Sequence, residues 1–456
     1  MGITIFEIPF SRLCSDGGDL FRGKKFDLAL EYALRALDYN QYNISAIQTM
    51  VVIFRSMGNS GAALDVLERL ESIDPLNHFI RYELYLISPD LKKLQHFQSA
   101  IQNEFPHETY IETALYYEAL KCGKEAVELL RLSPEQLAVC YWLAYLLKDI
   151  SPEESRIWLE KAEGLSPRLV FPFRLETILV FQWAVNDYTD LWKPKYYLGL
   201  IYWSKGRDAE ALDLFKACGL PEFVPLYLIR AHLMRKYDPS EALVNLQTAV
   251  HLDENDWRAR HYLTVYFLDE EDTRNALASA LKAEQAFPLS SVIQIDLVKA
   301  YMLNEKYEEA ADILDELDVL PHEGAADVHG LFEACQLKLA YKKIKKGDFA
   351  RATLFLEKSE TYPERLGSGE PFFPDHRKEN YLIALCYKNL GESDKALKVK
   401  REIYEYTQQY GPEYDVDDYF GGLVLQEYGK NDEAEILFKK GKPEKEIEDI
   451  IVLLKK

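Results

Sequence analysis

The amino-acid sequence predicts an all-α fold, a right-handed α-solenoid of about ten stacked helix pairs. Apolar residues recur with the period of an α-helix along nearly the whole chain, and strand-like alternation is confined to Ile3, Ile5 and Ile8. A second observation is a fixed spacing, because 34 residues separate Ala29 from Ala63. The same spacing of 34 residues recurs between Ala242, Ala276 and Ala310. Such a repeat indicates units that bury their apolar faces against their neighbours.

A short pattern marks the turn inside each predicted pair. A Gly or Asn closes the first helix, and a small residue shortly afterwards leaves room for close helix–helix contact. Pro75 and Pro288 stand where a proline should stop a second helix. The turn pattern occurs at residues 24–30, 58–64, 123–129, 206–212, 304–310, 347–353, 391–397 and 429–435.

The 34-residue period is that of the tetratricopeptide repeat (TPR), and residues 192–219 resemble this repeat most closely. Gly199 permits close approach of a neighbouring helix, while Tyr202 and Phe215 fill the space between helices. The Trp expected in the first helix is displaced to Trp192, and Lys195 takes its place. The residues at the expected offsets are Leu198, Gly199, Tyr202, Ala211 and Phe215.

For domain organisation we expect one continuous array over residues 1–442 and a C-terminal capping helix at 443–456, which covers the exposed end of the array. Helix spacing is irregular over 76–190, where 151–167 should form one second helix and 170–178 an extended approach to the next. Loops are expected at 319–330 and 362–378. Loops of this length are either functional or held by packing on the helices.

Composition restricts the class of partner. The formal net charge is −21, which opposes nucleic-acid binding, because that depends on clustered positive charge. No apolar run reaches the length of a membrane span, and the N-terminus lacks the features of a secretion signal. The six cysteines are too scattered for a disulfide scaffold, so we interpret them as mostly buried apolar residues. These observations favour a cytoplasmic protein that binds neither nucleic acid nor membrane.

Catalytic chemistry is not indicated. His322 and Glu323 form an adjacent acid–base pair in a loop, but adjacent side chains rarely converge on one substrate atom. His376 stands beside Asp375, which is a good N-cap for a helix beginning there. Histidines and cysteines do not cluster at ligand spacing, and phosphate-binding glycine motifs are absent. We expect no enzyme activity, no metal and no cofactor.

Several stretches resemble a family of bacterial proteins that fuse an N-terminal β-rich domain of unknown function, similar to mutarotase-type β-sandwiches, to a C-terminal TPR array. That β-rich domain is missing here, apart from residues 3–10, which resemble a single strand. In the loop at 320–330, His322 and Ala325 replace the Trp and Gly that the family tends to have. The resembling stretches are 74–86, 108–120, 166–177, 192–212, 320–330 and 362–372.

The resemblance to TPR folds implies that four positions of each first helix line a concave surface. Across four repeats in 190–305, none of the sixteen residues at these positions is acidic. Aromatic residues, Met and Arg are enriched at the cores of protein interfaces. The alternative is that curvature buries these positions against neighbouring helices. The predicted partner-binding residues are Lys193, Tyr196, Trp203, Tyr227, Met234, Arg258, His261 and Lys299.

The leading hypothesis is a protein- or peptide-binding scaffold whose partner is acidic or amphipathic. The alternative, implied by the family resemblance, is a non-catalytic accessory module in carbohydrate metabolism that acts with a separate β-rich carbohydrate-processing protein. A hydrolase that uses the 319–330 loop is a third hypothesis. A glycan-binding screen separates the first two.

Overall fold

The computed structural model describes residues 26–320, 326–410, 417–439 and 442–455. Within these ranges the secondary structure consists of 25 α-helices and one short 3-10 helix, without a strand. The predicted all-α class of stacked helix pairs is therefore confirmed. The strand-like residues 3–10 and the pair His322–Glu323 lie outside the described ranges. The chain divides into two compact units, which meet in sequence at Pro221 and Glu222.

Unit 1 ends at Pro221 and contains helices α1 to α12 among the described residues. They are α1 (Phe26–Tyr39), α2 (Ile44–Ser56), α3 (Ser60–Ile73), α4 (His78–Ile87), α5 (Leu91–Ala100), α6 (Pro106–Ala119), α7 (Gly123–Arg131), α8 (Leu137–Leu147), α9 (Pro152–Gly164), α10 (Thr177–Asp187), α11 (Lys193–Ser204) and α12 (Asp208–Ala217).

Unit 2 begins at Glu222 and contains α13 to α25. They are α13 (Val224–Met234), α14 (Pro239–Leu252), α15 (Trp257–Asp269), α16 (Thr273–Ala286), α17 (Ser291–Leu303), α18 (Tyr307–Glu316), α19 (Ala326–Lys345), α20 (Phe349–Ser359), α21 (Arg377–Asn389), α22 (Ser393–Tyr410), α23 (Asp417–Glu427), α24 (Asn431–Phe438) and α25 (Lys445–Lys455). The 3-10 helix spans Glu364–Leu366.

Helices that are adjacent in sequence pack as antiparallel pairs, and the small residues of the turn pattern lie at the contacts. Each is an alanine in the first turns of a second helix, where a larger side chain would hold the paired helix away. Asp74 and Phe287 end α3 and α16 just before Pro75 and Pro288, as predicted. The buried alanines are Ala29, Ala63, Ala126, Ala211, Ala310, Ala352, Ala396 and Ala434.

The turn inside eight of the pairs has a left-handed residue five positions before a buried alanine. Glycine supplies this conformation in five pairs, for example at Gly58 and Gly206. In the other three the residue is Lys121, Glu271 or Glu305, with φ between 52° and 58°. A side chain in this conformation is strained by contact between its Cβ and the backbone.

We expect Glu271→Gly to stabilise unit 2 by about 0.5 kcal/mol, because relief of about 1–2 kcal/mol of left-handed strain exceeds the entropic cost of glycine. Thermal unfolding and hydrogen exchange in α15 and α16 measure the effect. The neighbouring change Glu270→Gly is the control, because Glu270 has a negative φ of −82° and gains nothing from glycine. A loss of stability in Glu271→Gly equal to that of the control would contradict the strain argument.

The loop predicted at 362–378 packs on helices, whereas residues 326–330 of the loop predicted at 319–330 form the start of α19. In unit 1, residues 165–176 join α9 to α10 without regular structure, as predicted for 170–178. In unit 2, Leu366 is buried in an apolar cluster with Phe332. The ring of Tyr362 stacks on His329 at a centroid distance of 4.0 Å. Asp375 Oδ1 accepts from the backbone N–H of Arg377, so this carboxylate stabilises the start of α21.

The C-terminal helix α25 packs on α19 and α21 through Ile447, Ile450 and Leu454. The prediction that 1–442 form one continuous array stays a prediction. The cysteines in the described residues are buried and free, as expected, and they are Cys122, Cys140, Cys218, Cys335 and Cys386.

Candidate functional site

Four of the eight predicted binding residues are buried. Tyr196 in unit 1 and Tyr227 and Met234 in unit 2 are at most 3 % exposed. The Lys193 ammonium donates to the backbone oxygens of Glu163 and Leu165, the latter at 2.7 Å. Burial lowers the pKa of Lys193. These four side chains pack against neighbouring helices, which is the alternative that curvature of the array predicts.

The other four residues are at least partly accessible. Trp203 in unit 1 is half-buried near the end of α11. Arg258 and Lys299 in unit 2 are exposed, and the side chain of His261 is 25 % exposed. The accessible predicted residues of unit 2 therefore lie on α15 and α17, which are two first helices that pack together.

The first two turns of α15 carry a row of aromatic and basic groups. The Arg258 guanidinium lies 4.5 Å from the centre of the Trp257 ring. Tyr262 follows Arg258 by four positions and is 48 % exposed, and its ring lies 5.1 Å from that of His261. Residues four apart share one side of a helix. We call Arg258, His261, Tyr262 and Lys299 the α15–α17 face.

A hydrogen bond between His261 and Asp296 joins the two helices of this face. His261 Nδ1 lies 2.7 Å from Asp296 Oδ2, and the Asp296 side chain is 2 % exposed. Burial raises the pKa of Asp296, while His261 and Lys299 oppose that rise. Asp296 is therefore buried and bonded to His261, and the three exposed residues of the face, Arg258, Tyr262 and Lys299, are basic or aromatic.

Sequence reasoning missed Tyr262, because the groove rule names fixed positions of each first helix and this residue is not at one of them. Its spacing of four residues from Arg258 could have indicated that both lie on one side of α15. The partner of His261 was also missed, because Asp296 is 35 residues away.

A second candidate site lies entirely in unit 1. A cavity of about 520 Å³ opens between α2, α4 and α6 and the turn before α4. We call it the unit 1 cavity. A volume of this size is within the range of sites that hold a small molecule or a side chain of a partner. Its polar lining includes Ser45, Gln48, Asp74, His78, Glu112 and Tyr116.

A buried ionic cluster holds the three helices beside this cavity. The Arg55 guanidinium of α2 contacts both oxygens of Glu83 in α4, with Nε to Oε2 at 2.7 Å. The Tyr117 hydroxyl of α6 donates to Glu83 Oε1 at 2.7 Å. Burial raises the pKa of Glu83, and Arg55 and Tyr117 oppose that rise. One carboxylate thus connects α2, α4 and α6.

Across 26–320, 326–410, 417–439 and 442–455, no three His, Cys, Asp or Glu side chains form a group suited to a metal ion. Within the same ranges, no helix combines the length and apolarity needed to cross a bilayer.

Comparison with known proteins gives structural likeness alone. No family model matches the chain, and no curated protein matches it. The chain is similar to YrrB, a TPR protein with an unusual peptide-binding site, with 22 % identity and a TM-score of 0.29 over 42 % of this chain and 89 % of that one.

Two other solved structures match over more of the chain. Naa15/Naa10 bound to HypK-THB has 11 % identity and a TM-score of 0.36, over 98 % of this chain and 96 % of that one. The P58(IPK) TPR domain has 14 % identity and a TM-score of 0.26, over 98 % of each chain.

Proposed function

We propose that this chain is a protein- or peptide-binding scaffold and that the α15–α17 face holds an acidic or amphipathic segment of a partner. The observation that carries the proposal is the row of exposed aromatic and basic side chains on two packed first helices. Arg258 and Lys299 offer charge to a carboxylate, and Tyr262 offers an aromatic surface to an apolar group. Arg and Tyr are among the residues that contribute most binding energy at protein interfaces.

The hydrogen bond between His261 and the buried Asp296 supports this role by fixing the two helices relative to each other. A rigid surface loses less entropy on binding than a mobile one, so affinity per contact is higher. The negative charge of the rest of the chain adds selectivity, since it repels an acidic segment that approaches elsewhere.

We expect the double variant Arg258→Glu, Lys299→Glu to lose capture of acidic partners from a lysate of the native host. Truncation or reversal of a central interface residue costs about 2 kcal/mol or more, which is about thirtyfold in affinity. Quantitative mass spectrometry of proteins bound to the immobilised wild type and variant measures the loss. Tyr262→Ala should weaken capture of the same proteins.

The matched control is Arg274→Glu, Lys282→Glu, which makes the same charge change on exposed residues of the second helix α16. Circular dichroism and thermal unfolding establish that each variant is folded. If the face variant and this control retain the same partners, the α15–α17 face is not the binding surface.

The accessory role in carbohydrate metabolism remains an implication of the family resemblance. Binding of the intact protein to an array of glycans, with no loss in the α15–α17 variants, would favour it over the peptide-binding scaffold.

A further inference from the structure

We propose that the unit 1 cavity is a second binding site and that it takes a guanidinium or ammonium group, such as an arginine or lysine side chain of a partner protein. The ligand is opposite in charge to the one proposed for the α15–α17 face. The two sites lie in different units and rest on different observations.

Several hydrogen-bond donors of the cavity lining are used within the protein. The Thr113 hydroxyl donates to the Thr109 carbonyl at 2.9 Å, and the Tyr116 hydroxyl lies 3.3 Å from the Ser45 carbonyl, to which it donates. The Asn77 amide donates to Asp74 Oδ2 at 3.0 Å. These donors are therefore used within the protein, which leaves the carboxylates of Asp74 and Glu112 to meet a ligand.

The charge of the lining is negative. Asp74 and Glu112 are carboxylates, and no Lys or Arg is among the residues that line the cavity. Burial lowers the pKa of His78, and Arg81 adds to this, while Glu112 and Asp74 oppose it. The ammonium or guanidinium of a ligand would find two acceptors that carry full charge.

The nearby arginines bind mainly to acceptors outside the cavity lining or to backbone oxygens. Arg81 donates to the backbone oxygens of Pro75 and Leu76, at 3.1 and 3.3 Å. Arg174 pairs primarily with Glu108, at 3.0 Å, and its other nitrogen is 3.7 Å from Glu112. The Glu112 side chain is 72 % exposed, so it has room to turn from Arg174 to a ligand.

Two helix N-termini also face this region, at the starts of α2 and α4. Each contributes about half a positive charge, which favours anions. Both are capped by asparagine side chains, since Asn43 accepts from the N–H of Ala46 and Asn77 from that of Phe79. The two full negative charges of Asp74 and Glu112 exceed this partial charge, so a cation is favoured.

An aromatic pair completes the fit to a guanidinium. The rings of Phe79 and Tyr116, which both line the cavity, pack edge to face at 5.2 Å. A planar guanidinium stacks on aromatic rings while its N–H groups bind carboxylates, which an ammonium does less well. We therefore expect arginine to bind more tightly than lysine.

The test uses the full-length protein and three probes: N-acetyl-arginine amide, N-acetyl-citrulline amide and N-acetyl-glutamate amide. Citrulline has nearly the shape of arginine without its charge. Ligand-observed saturation-transfer NMR measures their affinities. We expect the arginine probe to bind about tenfold more tightly than citrulline, as charge-assisted hydrogen bonds contribute roughly this much. The glutamate probe should not bind at the cavity.

Variants distinguish the cavity from the general acidity of the chain. Asp74→Asn, Glu112→Gln should abolish the preference for arginine over citrulline. The control Asp65→Asn, Glu68→Gln makes the same charge change on exposed residues of α3 and should preserve it. Gln48→Trp retains both carboxylates but fills the cavity, and it should remove binding of the arginine probe.

Three results would overturn the proposal: equal binding of arginine and citrulline to the wild type, tighter binding of glutamate, or arginine binding that survives both Gln48→Trp and the loss of the two carboxylates. Hydrogen exchange in α2, α4 and α6 establishes that each variant keeps its fold. Arg258→Glu, Lys299→Glu should leave arginine binding unchanged, so this test is independent of the one for the α15–α17 face.

Discussion

Replacement of Arg55 by Met is expected to destabilise unit 1 by about 3–5 kcal/mol, the typical cost of removing one partner of a buried ion pair. Glu83 is fully buried, and Arg55 is its cationic partner. Without Arg55, the carboxylate keeps only the hydroxyl of Tyr117 to offset its loss of water. Because Glu83 connects α2, α4 and α6, the loss should appear as faster hydrogen exchange in all three helices.

The loss of stability caused by Arg55→Met should depend on pH in a defined direction. Burial already raises the pKa of Glu83, and removal of Arg55 removes the main group that opposes this rise. A carboxyl with a raised pKa in the folded state stabilises the fold at low pH, and that contribution disappears as pH rises through the folded pKa. The deficit of Arg55→Met should therefore be smallest at acid pH and largest near neutrality.

Two comparisons separate this effect from simple loss of a side chain. Arg55→Met, Glu83→Gln should recover most of the stability, because it removes the uncompensated charge and keeps a partner for Tyr117. Arg35→Met removes an exposed arginine that pairs with Glu31 on α1, and it should cost less than about 1 kcal/mol. Chemical denaturation of the wild type, these three variants and the single variant Glu83→Gln measures the coupling between Arg55 and Glu83. Equal destabilisation by Arg55→Met and Arg35→Met would show that the buried pair has no special importance.

Much of the fold could be predicted because local rules agree with the tertiary structure. The eight alanines at the small-residue position of the turn pattern are buried, and the glycines at Gly206, Gly347, Gly391 and Gly429 have the left-handed conformation that the turn requires. The turns at Lys121 and Glu271 have the same conformation without glycine, and the turn at Glu271 is not among the eight stretches of the predicted pattern. There the packing of the pair imposes a conformation that the residue itself disfavours.

The candidate sites were less predictable, because the side chains that interact in them are far apart in the sequence. Arg55 and Glu83 are 28 residues apart, and His261 and Asp296 are 35 apart. The unit 1 cavity combines residues of three helices and one turn. The groove rule placed Lys193 on a surface, but its ammonium binds the backbone oxygens at the end of α9. A positional rule gives the direction of a side chain, and burial depends on how closely the neighbouring helix approaches.

Gly199→Leu is expected to destabilise the α11–α12 pair by about 3 kcal/mol or more, at or above the upper end of typical overpacking costs. A Cβ atom on Gly199 would lie 2.6 Å from Cε1 of Phe215, and Phe215 is fully buried. The aromatic ring cannot move aside without leaving the contact between α11 and α12. Because each pair depends on its neighbours, the loss should also reduce the cooperativity of unfolding in unit 1.

The 2.6 Å distance between a Cβ atom at position 199 and the Phe215 ring suggests variants with side chains of different size. Gly199→Ala should already destabilise the α11–α12 pair, because the Cβ atom alone makes the contact with Phe215. The control Gly330→Ala in α19 should stabilise the protein by about 0.5–1 kcal/mol, since a Cβ atom there meets nothing within 4 Å. Gly199→Ala combined with Phe215→Leu should cost less than the sum of the single changes, because a smaller side chain at 215 leaves room for the new methyl group. Thermal unfolding and hydrogen exchange of α11 and α12 measure these effects. An unchanged melting curve for Gly199→Leu would show that α11 and α12 do not approach each other at this position.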